Sequence, residues 1–99
     1  MPRNLRRDLP EFTIRTVQEE GWAGLKNGNL LGRASSTFDV LVTVDQRMRF
    51  QQNISSFRIG VVAIEAYDTT LPNLLRYIED IRSAISRVAL GSVVIVTTA

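Results

Sequence analysis

The chain has 99 residues, 44% hydrophobic and 22% charged, with a net charge of +2. These values fit a single domain with one core and exclude disorder, collagen and long coiled-coil repeats. Because Cys and His are both absent, zinc fingers, thiol catalysis, Ser-His-Asp triads and His-ligated metals are excluded too.

Any chemistry therefore rests on carboxylates, hydroxyls, amides, Arg, Lys or a hard metal held by oxygens. All the basic residues except Lys26 are Arg. That bias suits forked contacts to phosphate on an RNA-facing surface, and it equally suits coding from a GC-rich genome. No apolar run reaches the roughly 18–20 residues that span a bilayer, and no signal-peptide pattern opens the chain. A soluble, cytoplasmic domain covering residues 1–99 is expected.

In chain order, Pro2 to Leu9 reads as a short amphipathic turn or helix closed by Pro10. Phe12-Thr-Ile-Arg-Thr-Val17 alternates apolar and polar residues, which predicts a half-buried strand. A loop with two glycines follows at residues 19–24. Its Trp22 is expected to anchor packing rather than to stack on a base. Asn29 is placed as the cap of a short helix through Leu30, Leu31 and Ala34, ending near Ser35-Ser36.

Val40 to Val44 and Ile59 to Ile64 are continuous apolar runs, the pattern of strands covered on both faces. The polar, basic stretch between them, Gln46 to Asn53, predicts one helical turn and a loop. Thr70 can cap the longest helix, with Pro72 in its first turn. Leu71, Leu74, Leu75, Ile78, Ile81, Ile85 and Val88 form its apolar stripe, while Arg76, Glu79, Asp80 and Arg87 face away. Gly91 is expected to stop that helix before a last strand, Val93 to Val96. The alternation predicts a mostly parallel sheet of about four strands with helices on its faces.

In an open parallel sheet, ligands bind beyond the carboxyl ends of the strands. That rule selects Asp45 after one strand, Glu65 with Asp68 after the next, and Thr97 and Thr98 after the last; Asp39 falls on the opposite rim. Asp45 and Glu65 could together hold Mg²⁺ or Mn²⁺ through oxygens and water, and such an ion activates water and neutralises a phosphodiester. Acidic residues after strands serve equally as turn formers and caps. Arg47 and Arg49, with Phe50-Gln-Gln-Asn53 behind them, make a basic, amide-rich loop suited to phosphates and bases of RNA. The competing reading pairs those arginines with Asp45 or Glu65 in a solvated loop. No glycine spacing fits a Walker or dinucleotide motif.

Three stretches together, Thr16 to Leu31, Phe38-Asp-Val-Leu-Val-Thr-Val-Asp45 and Phe50-Gln-Gln-Asn-Ile54, resemble a bacterial PIN-like family of uncharacterised function, related to PilT N-terminus ribonucleases. The resemblance covers nearly the whole chain and implies a three-layer α/β/α sandwich. It further implies Mg²⁺ or Mn²⁺ as cofactor, RNA as substrate and a place in a toxin–antitoxin pair, with Asp45 as catalytic metal ligand. Three departures accompany it. The family's opening strand, with its acidic residue, has no counterpart before Met1-Pro2, so the domain reads as N-terminally truncated relative to the family. Asn27 stands at a second acidic position, and Arg47 stands where a further Asp often follows. A shortened sheet has an edge to pair, so a homodimer is expected.

Overall fold

The computed structural model describes residues 7–44, 54–66 and 70–97. Within them run helix α1 (Asn27–Ser35), strand β1 (Val40–Thr43), a 3-10 turn (Ile54–Ser56), strand β2 (Gly60–Glu65), helices α2 (Leu71–Leu75) and α3 (Ile78–Arg87), and strand β3 (Val93–Thr97). The result is a small α/β fold.

The strands form one sheet in the order β1-β2-β3. Both pairings are parallel, with Val40 opposite Gly60 and Val61 opposite Val93. β-Branched residues make up most of β1, half of β2 and all of β3, and every residue of β2 before Glu65 is buried. Central position and apolar run agree, because a central strand in a parallel sheet is covered on both sides.

Alternation divides the side chains between two apolar clusters. Val62, Ile64 and Val96 join Leu74, Ile81 and Ala84 of α2 and α3 in the first. Leu41, Ile59 and Val61 join Leu31 and Ala34 of α1, and Ile54, in the second. Each fully buried aliphatic side chain contributes about 1.5–3 kcal/mol. At the amino end of β2, Val88 and Ala89 approach the backbone closely: a Cβ on Gly60 would lie 2.8 Å from Val88 Cγ1 and 3.2 Å from the Ala89 carbonyl oxygen.

The segment Phe12 to Val17 is not a strand. Its alternation is real, since Phe12 and Ile14 pack on the first cluster while Thr13 and Arg15 are exposed. A ladder needs backbone groups available to a neighbour, and here Thr16 uses its own locally. Its N–H donates to Glu19 Oε1 at 2.9 Å, and the Glu19 N–H donates to Thr16 Oγ1 at 3.1 Å. This reciprocal capping box starts a single helical turn. Gly21, at φ +74°, ends it, with Trp22 N–H donating to Val17 O and Gly21 N–H to Gln18 O, the pattern of a Schellman motif. The expected fourth strand is therefore replaced by an extended stretch and a capped turn, leaving three strands among the described residues.

Residues 7 and 8 form a 3-10 turn and Leu9 is fully buried; the rest of the expected opening helix lies outside the described residues. Arg82 of α3 ties this segment down, donating to the Glu11 carboxylate and to the Asp8 carbonyl oxygen. Arg15 donates from Nε to Glu20 Oε1 at 3.0 Å. That bond, and then the Glu19 charge, raise the Arg15 pKa above its ordinary value. On the side of the guanidinium, this contribution holds through neutral pH and fades as pH rises through the strongly alkaline range.

Three helix boundaries differ from the sequence expectation. Helix α1 begins two residues before Asn29, with Lys26 in the cap position and its carbonyl accepting from Leu30 N–H. Asn29 is thus inside the helix. The long helix is two helices: 3-10-type bonds from Arg76 N–H to Asn73 O and Tyr77 N–H to Leu74 O intervene, and Tyr77 leaves helical geometry at φ −115°. Thr70 does occupy the cap position, with Pro72 in the first turn, but its side chain makes no capping bond. The chain leaves α3 at Val88, which is extended, so Gly91 does not stop the helix; at φ +79° it turns the chain into β3. The apolar stripe holds: Leu74 and Ile81 are buried, Leu75, Ile78, Ile85 and Val88 half-buried, and Arg76, Glu79, Asp80 and Arg87 exposed. The Leu71 side chain and the turn expected within residues 46–53 lie outside what is described.

Candidate functional site

The parallel direction of the strands gives the sheet a single carboxyl edge, formed by Thr43 of β1 with Val44 after it, Glu65 of β2 with Ala66 after it, and Thr97 of β3. Asp39 precedes β1 and is exposed on the opposite rim, as expected.

The register sorts these residues further. Thr43 is opposite Ala63, which is opposite Ile95, and Glu65 is opposite Thr97. Alternation puts all five side chains on the face that carries Leu41 and Val61. At its amino end this face is closed by α1, Trp22, Ile54 and Phe57. Toward the carboxyl end it turns polar and open: Glu65 and Thr97 are exposed and Ile95 is 42% exposed, while the small Ala63 between them is fully buried. A carboxylate and two hydroxyls thus share one end of one face.

Glu65 and Thr97 are side by side because β2 outlasts β1 by two register positions and stays paired with β3 to its end. Sequence reading selected both as strand-terminal residues. It missed Thr43, whose signal was its odd-numbered parity with Glu65 and Thr97 once the register is known. Side chains directly opposite each other in a parallel sheet stand roughly 5 Å apart, which holds for Glu65 and Thr97, whereas Thr43 is opposite Ala63, two positions back along the strands.

Asp45, Arg47, Arg49 and Asn53 lie outside the described residues, as do Asp68 and Thr98. Among the described residues no group of three or more His, Cys, Asp or Glu could hold a metal ion. The oxygen donors at this edge, Glu65 with Thr43 and Thr97, are the hard type that Mg²⁺ and Mn²⁺ prefer.

Trp22 is a packing anchor. Its ring meets Phe38 edge-to-face at 6.0 Å between centroids, and it packs on the second cluster. A hollow along α1, lined by Leu25, Gly28, Asn29, Gly32 and Arg33, is open to solvent. No described helix is long and apolar enough to cross a membrane. Comparison with family models, with curated proteins and with solved structures finds no match to this chain.

Proposed function

We propose that this chain is a PIN-like domain, a three-layer α/β/α sandwich whose carboxyl edge carries a metal-dependent ribonuclease site with an incomplete acidic cluster. The observation that supports this most directly is the placement of Glu65, exposed, at the carboxyl end of a parallel β2, on the face that carries Leu41 and Val61. Val44, the last described residue at the end of β1, is followed in the chain by Asp45. The reading requires Asp45 to project beside Glu65, with Arg47, Arg49 and Asn53 contacting RNA phosphates and bases.

In this reading Asp45 and Glu65 hold Mg²⁺ or Mn²⁺, which supplies charge neutralisation at the phosphodiester and a more acidic bound water. The protein's own contribution is positional. Glu65 is fixed by the β2–β3 ladder, and Arg47 and Arg49 orient the phosphate through bidentate bonds. With few carboxylates to hold it, the ion depends on substrate oxygens to complete its shell. The ion therefore binds weakly without RNA and more tightly with it.

Cleavage of single-stranded RNA with Mn²⁺ tests the proposal, comparing the wild type with Asp45→Asn and Glu65→Gln. Loss of a metal ligand lowers the rate by more than about tenfold. Equal rates in all three proteins, or cleavage in none, remove the catalytic reading.

A second reading is favoured by Arg47 and Asn27, which stand where the resemblance leads one to expect acidic residues. A catalytically silent PIN-like module would use the same edge to bind an antitoxin-like protein. Pull-down from the native host that recovers a stoichiometric partner, lost on charge reversal of Arg47 and Arg49, supports it. Recovery of no partner counts against it.

A further inference from the structure

Strand β3 lies at one end of the sheet, and its outer edge has a definite hydrogen-bonding pattern. Val61 N–H donates to Ser92 O at 2.9 Å, and Val61 is in register with Val93. In a parallel ladder this directs the backbone groups of Ser92, Val94 and Val96 toward β2. The N–H and C=O groups of Val93, Ile95 and Thr97 therefore point the other way, where they meet no backbone partner among the described residues.

The usual protections of an edge strand are absent from β3 itself. It contains no Lys, no Pro and no break in register. From Val88 to Thr97 no side chain is charged. The two large hydrophobic side chains most exposed among the described residues lie in this stretch, Leu90 at 53% and Ile95 at 42%. The opposite edge differs. Gly60 N–H donates to Asp39 O, so Val40 and Val42 turn their backbone groups outward there. β1 is shorter, and the charged Asp39 stands at its entrance.

We propose that the β3 edge binds the same edge of a second copy of this chain, antiparallel and centred on Ile95, so that two sheets become one across a two-fold axis. In that register Ile95 faces the partner's Ile95 and Val93 faces the partner's Thr97, each pair exchanging both N–H···O bonds. Every outward group of β3 is then satisfied, because Val93 and Thr97 are equally spaced about Ile95. The uncharged strip meets itself without like-charge repulsion, whereas a charged peptide would find no counter-charge there. The exposed Ile95 side chains cover each other across the axis.

Light scattering coupled to size exclusion, on the full chain at tens of micromolar, should give twice the chain mass. Ile95→Pro removes an N–H that β2 does not use, so the parallel ladder survives and the mass falls to that of one chain with an unchanged far-ultraviolet circular dichroism spectrum. Amide exchange on the wild type supplies an independent readout. The Val93, Ile95 and Thr97 amides should gain protection with rising protein concentration, while Val94 and Val96 are protected throughout. A single-chain mass at hundreds of micromolar overturns the proposal. So does a dimer that persists in folded Ile95→Pro, an Ile95 amide that exchanges freely within the dimer, or assembly into open polymers. If Ile95→Pro fails to fold, the exchange pattern of the wild type decides alone.

Discussion

The two faces of the sheet differ in how far along the strands they are covered. On the face of Val62 and Ile64, apolar side chains run to the carboxyl end of the strands, under α2, α3 and the segment carrying Leu9, Phe12 and Ile14. On the face of Leu41 and Val61, the apolar cluster among the described residues ends with α1 and the Ile54 turn, and Thr43, the buried Ala63, Ile95, Glu65 and Thr97 follow. One face carries stability along its whole length. The other carries stability at one end and, at the other, the exposed Glu65 and Thr97 on which the proposed site rests.

The largest test of this contrast uses adjacent residues on opposite faces. Ile64→Ala, at a fully buried position, should cost about 2–5 kcal/mol. Glu65→Gln, one residue on and exposed, should change stability by no more than about 0.5 kcal/mol. Urea unfolding of the two variants measures both, and equal losses would break the distinction between the faces.

Gly60→Ala comes next. The new Cβ would be 2.8 Å from Val88 Cγ1 and 3.2 Å from Ala89 O, and such overpacking costs about 1–3 kcal/mol. Adding Val88→Ala should recover only part of the loss, because the Ala89 carbonyl is backbone and remains in place. Full recovery in thermal melts would mean that the side chain alone sets the approach of α3 to β2.

Thr16→Ala removes the hydroxyl half of the capping box and should cost about 1 kcal/mol. The loss should appear as faster amide exchange at Glu19, whose N–H now lacks its acceptor. A smaller loss than that of Thr16→Ala belongs to Arg82→Ala. Its exposed pairs with Glu11 and Glu79 contribute about 0–1 kcal/mol, and the difference from wild type should shrink as salt rises. A salt-independent loss would assign the role of Arg82 to its bond with the Asp8 carbonyl oxygen instead.

Much of this architecture is legible in the sequence. The runs at Val40, Ile59 and Val93 are β-branched and nearly uninterrupted, so their strands follow from composition alone. The stripe from Leu74 to Val88 shows its buried face for the same reason. The segment at Phe12 shows where legibility ends: alternation reports which side chains are covered, and it does not report whether a neighbouring backbone is available. The Thr16-x-x-Glu19 spacing was the readable sign of a capped turn, and it outweighed the β propensity because its two hydrogen bonds are local and need no distant partner.

The site divides in the same way. Residue order places Glu65 and Thr97 at strand ends, and covalent connection alone puts Asp45 after Val44. That Glu65 stands beside Thr97, with Thr43 on the same face, depends on register, which is a relation between strands far apart in the chain. Apolar periodicity is a property of each segment and is written in it. Which segments become neighbours, and which edge is left over, is settled only when the two clusters close on opposite sides of β2 and the backbone bonds lock the strands in place.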